Sequence, residues 1–202
     1  MSRKPNSEQR RAQIVQALMD TMAEHGYEKA TIQLIARRAG LTPGLLHYHF
    51  HSKADILLAL VKALAGAAQQ RYQAFAQDAQ DDGQRLGAYI DARLGLGEGA
   101  DAGAVAAWVV IGAEAVRQPE VRAAYRHAID TETALLRELL SASLAAHGKS
   151  TANAQALAAA LLAMMEGTFQ LASVAPAGMP AGFAAPMAAQ LVRRFIDAEP
   201  PA

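Results

Sequence analysis

Cysteine is absent from the 202-residue chain, so neither a disulfide framework nor a thiolate metal site is possible. The N-terminus, MSRKPNSEQRR, lacks an apolar h-region. No signal peptide is therefore expected, and a cytoplasmic location is. No stretch sustains the alternation of apolar and polar residues that a half-buried strand shows. No internal repeat is visible. The glycine-rich run at 95–99 follows no strand and leads to no Gly-Lys-Ser/Thr sequence, so a phosphate cradle is not expected. There is no Gly-x-Ser-x-Gly, and scattered Ser, His and Asp make no catalytic triad without geometry. His47 and His51 stand four residues apart, but no companion ligand and no His-Glu-x-x-His accompany them. No metal, no cofactor and no enzymatic activity are expected. Charge is missing from residues 167–192, which raises the question of a membrane span. Pro176, Pro180 and Pro186 interrupt that run, whereas a spanning helix needs about 20 strongly apolar residues in a row. The segment reads as two soluble, largely buried helices with a loop between, and no membrane partner is expected.

Net charge is also lacking, but the zero conceals a split. Residues 1–53 hold eight Lys/Arg against four acids, a net +4, and the rest holds eleven against fifteen, a net −4. A basic end on an acidic body is expected when only that end meets phosphate. Hydrophobic residues make up 52% of the chain, enough for one large domain or a small one joined to a larger one. Helix is the regular structure the pattern supports. Ile14, Leu18 and Met22 recur at helical spacing, which predicts a helix over about 7–25 ended by Gly26, with Tyr27 packing back. Further helices are predicted at about 31–40, 42–50, 52–77, 84–94, 104–117, 119–147, 151–174 and 183–197. The fold class is all-α with about nine helices: a helix-turn-helix domain over 1–53, with a linking helix from 52, and a helical ligand-binding and dimerisation domain over 54–202.

The spacing within 31–50 carries the functional argument. Ile32, Ile35, Ala36 and Ala39 share one face of a short helix, and small Ala36 lets a second helix cross closely. Gly40 supplies a positive-φ turn residue. Thr42 and Pro43 then start the next helix, Pro43 where a missing N–H costs nothing. Two short helices joined by such a turn make a helix-turn-helix, whose second helix enters the major groove of double-stranded DNA N-terminus first. Its polar side chains are Thr42, His47, Tyr48 and His49, while Pro43 and Gly44 allow close backbone approach. Tyr48 is either core or a phosphate contact. Phe50 is core, and Arg37 and Arg38 are either contacts or a solvated face. Ser52-Lys53-Ala54-Asp55 resembles a capping box that opens the next helix, and Lys53 at its start is expected to face a phosphate. Arg3, Lys4, Arg10 and Arg11 form a basic arm or track the backbone, adding affinity without sequence information.

These residues resemble a known family. Gly40-Leu41-Thr42-Pro43-Gly44-Leu45-Leu46-His47-Tyr48-His49-Phe50-His51-Ser52-Lys53-Ala54-Asp55-Ile56-Leu57, with the lead-in Gly26-Tyr27-Glu28-Lys29-Ala30-Thr31-Ile32, is similar to the signature of the tetracycline-repressor (TetR) family. The likeness covers about residues 10–60. It implies an all-helical homodimer on a palindromic operator, usually a repressor, released when a small molecule binds the C-terminal domain. It also implies that Thr31, Thr42, Pro43, His47, Tyr48, His49 and Lys53 occupy positions used for DNA. Two departures stand out: the family usually has Tyr where His47 stands, and a basic or small polar residue is common in place of Pro43. In the C-terminal part, Trp108, the stretch Ala113-Glu114-Ala115-Val116-Arg117-Gln118-Pro119-Glu120-Val121-Arg122 and Tyr125 resemble the choline-responsive betaine-pathway repressors of that family, over about 104–145.

A ligand pocket is mostly apolar with a few polar groups. Phe75, Tyr89, Trp108, Tyr125, Met164, Met165 and Phe169 are candidate walls, with plain core packing as the alternative for each. Glu166 is the only charge between Thr151 and Ala175. A carboxylate there pairs across a dimer interface, meets a ligand or faces solvent. The Ala/Leu-rich helix with Leu161, and the last helix with Met187, Leu191 and Phe195, are candidate dimer surfaces that would pair as a four-helix bundle. The long helix after Lys53 is the expected lever between domains. Two other readings stay open: a regulator whose C-terminal domain senses a protein or nothing, and a small helical enzyme.

Overall fold

The computed structural model describes residues 7–96 and 101–202, so Arg3 and Lys4 lie outside the described residues. Among the described residues there are nine α-helices and one short 3-10 turn, and no strand. The helices are α1 (Ser7–Lys29), α2 (Ile32–Arg38), α3 (Pro43–His49), α4 (Lys53–Phe75), α5 (Asp82–Leu94), α6 (Ala102–Ala115), α7 (Pro119–Ala146), α8 (Ala154–Val174) and α9 (Ala184–Ala198). The all-α expectation holds.

Their ends follow local chemistry. Gly26, at φ 76° and ψ 165°, breaks α1, and one further turn carries Tyr27 into the core. Thr31 and Thr42 cap α2 and α3 by accepting the N–H groups of Leu34 and Leu45. Gly40, at φ 65°, makes the turn between those two helices. Ser52 and Asp55 exchange hydrogen bonds of 3.1 Å each, a reciprocal capping box with Asp in the acid's place. One expectation needs adjusting. The helix expected from about residue 84 starts earlier, at Asp82, because Asp81 accepts the N–H of Gln84 at 2.7 Å and so satisfies an orphan donor of the first turn.

The chain divides into two compact units: Met1–Ala65 with Ala106–Ala128, and Gly66–Val105 with Ile129–Ala202. This partition differs from a boundary after residue 53. The first part of α4 stays with the N-terminal helices, and so does the α6–α7 corner, whose residues are remote in sequence. In the first unit α1 packs on α2 and α3 around Ile14, Leu18, Met22, Ile35, Leu46 and Phe50, all buried. In the second, α5 packs on α8 and α9, with Tyr89, Ile90, Met165 and Val192 inside.

Helix α8 is long and apolar enough, by length and composition, to cross a membrane, but only 33% of that window is buried. The expectation of a largely buried helix is thus corrected. A stripe of Ala158, Leu161, Leu162, Met165 and Phe169 faces the core, and the exposed side carries several alanines with Gln155, Gln170, Leu171 and Val174.

Candidate functional site

Helix α3 presents the candidate DNA-reading residues. Thr42, Pro43, Gly44, His47 and Tyr48 are exposed, and His49 is half-buried. Tyr48 is 79% exposed, which removes the core alternative for it. Its ring meets that of His49 edge-on at 5.1 Å. Leu46 and Phe50, on the other side of the helix, are buried. The i, i+4 apolar pair therefore anchors α3 and turns its polar side outward. Thr31, at the start of α2, is exposed too, and Arg10 lies on α1 with Nη1 donating to Gln13 at 3.0 Å.

Lys53, expected to face a phosphate, is half-buried and engaged by backbone carbonyls. Its Nζ donates to the carbonyls of Tyr27 (2.8 Å) and Glu28 (3.4 Å) and sits 4.1 Å from the Tyr27 ring centroid. The lysine thus ties the start of α4 to the end of α1. Of its three N–H donors, two are engaged in this tie. Burial pushes the ammonium below its ordinary range, and Glu114, Glu28 and Glu120 push back. The same surroundings raise the Tyr27 phenol to about 12, through burial and then the charges of Glu120 and Glu114. The α6–α7 corner therefore acts electrostatically on the base of α4.

Two arginines also do structural work. Arg38, on α2, pairs with Glu24 of α1, and this pairing holds the Glu24 carboxyl below its ordinary range. Arg11 donates to the carbonyl of His49, and its guanidinium lies 4.0 Å from the Phe50 ring centroid. Arg11 is thus bound to the end of α3 rather than loose in a basic arm. Beside it is a cleft of about 290 Å³ lined by Arg11, His49, Phe50, His51, Leu58 and Lys62, among others.

The candidate effector residues fall into two groups. Trp108 and Tyr125 belong to the first unit. Their rings stack at 4.8 Å with a 34° tilt, and Trp108 is buried. Gly112 makes room for this: a Cβ there would stand 3.2 Å from the Tyr125 hydroxyl. Phe75, Tyr89, Met164, Met165, Glu166 and Phe169 belong to the second unit. Phe75 is 48% exposed and lies beside the Arg71 guanidinium, so it is not an enclosed wall. Tyr89, Met165 and Phe169 are core residues, and Met164 is half-buried. Glu166 is half-buried as well. Among the described residues, the carboxylates that the fold fully buries are Glu114, which accepts from Gln118 at 3.0 Å, and Glu199, which accepts twice from Asn153.

The polar centre of the second unit had no sequence signal. Glu132 receives the hydroxyl of Tyr89, and Arg93 Nε lies 2.9 Å from Glu132 Oε1. That is ion-pair distance without the angle of a good N–H···O bond, which leaves Nε without a hydrogen-bond partner. Arg93 also lies 6.0 Å from the Phe169 ring centroid. Burial, with Glu132 next to it, holds the Tyr89 phenol well above its ordinary range. Tyr89 and Arg93 stand one helical turn apart, a spacing visible in sequence, but their shared partner lies 43 residues beyond Tyr89.

Of the candidate dimer residues, Met187 and Leu191 are about half exposed and Phe195 is half-buried. Leu161 is a correction: it is 4% exposed, packs into its own subunit's core and offers a partner almost no surface.

Two family models match the chain. Residues 14–60 match the family model described as bacterial regulatory proteins, tetR family. Residues 82–200 match the model described as BetI-type transcriptional repressor, C-terminal. The HTH-type transcriptional regulator BetI of Escherichia coli O17:K52:H18 is 30% identical over 193 residues, covering 93% of this chain and 92% of that protein. The BetI of Rhizobium meliloti is 33% identical over 113 residues, a match spanning 55% of that relative's length. Among solved structures, a putative transcriptional regulator from Saccharomonospora viridis in complex with choline superposes with a TM-score of 0.74 at 24% identity, covering 96% of this chain and 97% of that one.

Proposed function

Because the chain belongs to the TetR family of bacterial regulatory proteins, with a BetI-type C-terminal domain, we propose that it represses transcription as a homodimer, leaving its operator when a small molecule binds. That it is a DNA-binding transcriptional regulator follows from the family. The observation that carries the rest is the outward face of α3, where His47 and Tyr48 stand exposed on a helix anchored from behind by Leu46 and Phe50. Thr42, Pro43, Gly44 and His49 complete the reading surface. Thr31, Arg10, Arg3, Lys4 and the remaining N–H of Lys53 supply phosphate contacts. A mobility shift on its own promoter region tests this reading. Binding should weaken steeply with salt, and Tyr48→Ala, which disturbs no buried contact, should lower affinity about tenfold or more. No binding to any fragment at low salt would sink it.

The effector is a small ammonium-bearing molecule of the choline type. The choline-bound neighbour supports this class, and the Trp108–Tyr125 stack supplies aromatic faces of the kind that hold a desolvated cation. Glu166, Met164 and the residues around Tyr89 are secondary candidates. Release requires that the effector bind the DNA-incompetent arrangement more tightly. Trp108 and Tyr125 lie in the same compact unit as α3, which gives an effector there a short path to the DNA-binding helices. Calorimetric titration with choline should show binding that Gly112→Ala weakens by displacing the Tyr125 ring; unchanged affinity would remove this site.

Dimerisation uses the apolar residues left uncovered on α8 and α9: Leu171 and Val174 on one, Met187 and Leu191 on the other, with Phe195 next to them. Two helices from each subunit make a four-helix bundle, and a dimer suits DNA whose successive major grooves on one face lie about 34 Å apart. Leu191→Glu should give a monomer by sedimentation. No catalytic role is proposed, and the protein works in the cytoplasm, where its DNA is.

A further inference from the structure

We propose that Arg11 is a positioning residue for DNA recognition: it latches the C-terminal end of α3 to α1 and so sets the poses of Tyr48 and His49. The inference rests on the reading of α3 as the recognition helix. Helix α3 has seven residues, and isolated helices that short do not hold in water. Its N-terminal end is capped by Thr42. Its C-terminal end has exposed carbonyls and a partial negative charge. Arg11 answers both needs, donating from Nη1 to the His49 carbonyl and laying its guanidinium over the Phe50 ring at 4.0 Å. Beside it, the end of α3 borders the cleft lined by Arg11, His49, Phe50, His51 and Lys62. Arg11 adds a hydrogen bond from α1 at this end to the apolar packing of Leu46 and Phe50. Tyr48 and His49 lean on each other edge-on, so fraying at His49 would carry Tyr48 with it.

A latch differs measurably from a phosphate contact. An arginine on phosphate adds about one unit to the salt slope and helps every sequence equally. A latch leaves the slope alone and helps only the sequence that the posed side chains read. Lysine replaces arginine well against phosphate, but it lacks the planar group that stacks on Phe50.

The test measures binding of wild type, Arg11→Ala and Arg11→Lys, at several salt concentrations. One probe is the duplex that wild type recovers from a random-sequence pool, and the other is a shuffled duplex of equal length. Arg11→Ala should bind the selected duplex about tenfold more weakly, with an unchanged salt slope and little change on the shuffled duplex. Arg11→Lys should recover only part of the loss. In the DNA-free protein, amide exchange at the end of α3 should quicken in Arg11→Ala while the α1 core amides stay protected. Equal losses on both duplexes with a slope smaller by about one, full recovery by lysine, or unchanged exchange at α3 would each overturn the latch. Failure of wild type to bind either duplex would overturn the DNA reading itself, and the latch with it.

Discussion

In the first unit, Thr31, Thr42 and Ser52 each fix a helix start through a hydrogen bond to a residue three positions on. In the second, Glu132 meets Tyr89 from 43 residues away, and Lys149 reaches the carbonyls of Asp197 and Glu199 from 48 and 50 residues away. The contrast is one of information as well as distance. The DNA-reading end must present an α3 of defined start and rotation: the Thr42 cap and the Gly40 turn fix the start locally, and buried Leu46 and Phe50 fix the rotation. The C-terminal helices carry long apolar stretches whose ends and facing depend on distant partners. A scaffold of the first kind loses little when one cap is removed. A scaffold of the second kind concentrates its polar specificity in a few buried contacts.

The most severe break of that contrast should come at Arg93. Arg93→Ala leaves the mostly buried Glu132 carboxylate without its counter-charge and should cost about 3 kcal/mol, measured by urea unfolding. A cost under about 0.5 kcal/mol would mean that the pair behaves like a surface ion pair, and the contrast would weaken. Next is Lys149→Met. Its ammonium bonds two carbonyls at the end of α9, at 2.8 Å each. Beside it the chain end is held by Ser150 donating to the Pro200 carbonyl and Ala202 donating to that of Gly148. A loss of about 1.5 kcal/mol is expected, together with weaker dimerisation if α9 lies in the interface. Thr42→Ala should cost about 1 kcal/mol in stability while lowering DNA affinity, because a lost cap disturbs the start of α3 directly.

The smallest effect concerns pH. The Tyr27 phenol is raised to about 12, above its ordinary value, so its contribution is complete below about pH 10 and is lost as pH climbs toward 12. Lys53, pushed below its ordinary range, works in the opposite sense, binding fewer protons folded than unfolded. Tyr27→Phe keeps the ring beneath Lys53 and the backbone carbonyl that it bonds, and removes only the phenol. Thermal scans across the alkaline range should therefore show a shallower decline in Tyr27→Phe than in wild type. Tyr89 is raised as well and keeps its share of the decline in that variant. An identical decline in the two proteins would show that Tyr27 contributes nothing.

Much of the first unit was legible in sequence because its determinants are short-range. Gly40 and Thr42 state where one helix ends and the next begins, and Phe50 states which side is inward. Lys53 was legible as important, but not as a tie to Tyr27, since a lysine at a helix start offers donors to a phosphate and to a carbonyl alike. Arg11 looked like one of several arm residues, and only the fold brings it to His49, 38 positions away. In the C-terminal part, Glu166 drew attention by being alone in sequence. Burial falls instead on Glu114 and Glu199, which had ordinary charged neighbours along the chain.

By itself the sequence determined an all-helical chain, a helix-turn-helix between Thr31 and Phe50, its polarity toward DNA and the family to which it belongs. Those properties follow from backbone preferences, periodicity and charge, which act over a few residues. Tertiary structure decided that the α6–α7 corner joins the DNA-binding unit, that Tyr89, Arg93 and Glu132 form one polar centre, and that Arg11 meets the His49 carbonyl and Lys53 those of Tyr27 and Glu28. Such pairings are set by the packing of whole helices, where the same arginine or lysine meets water or a buried carbonyl depending on which helix arrives beside it.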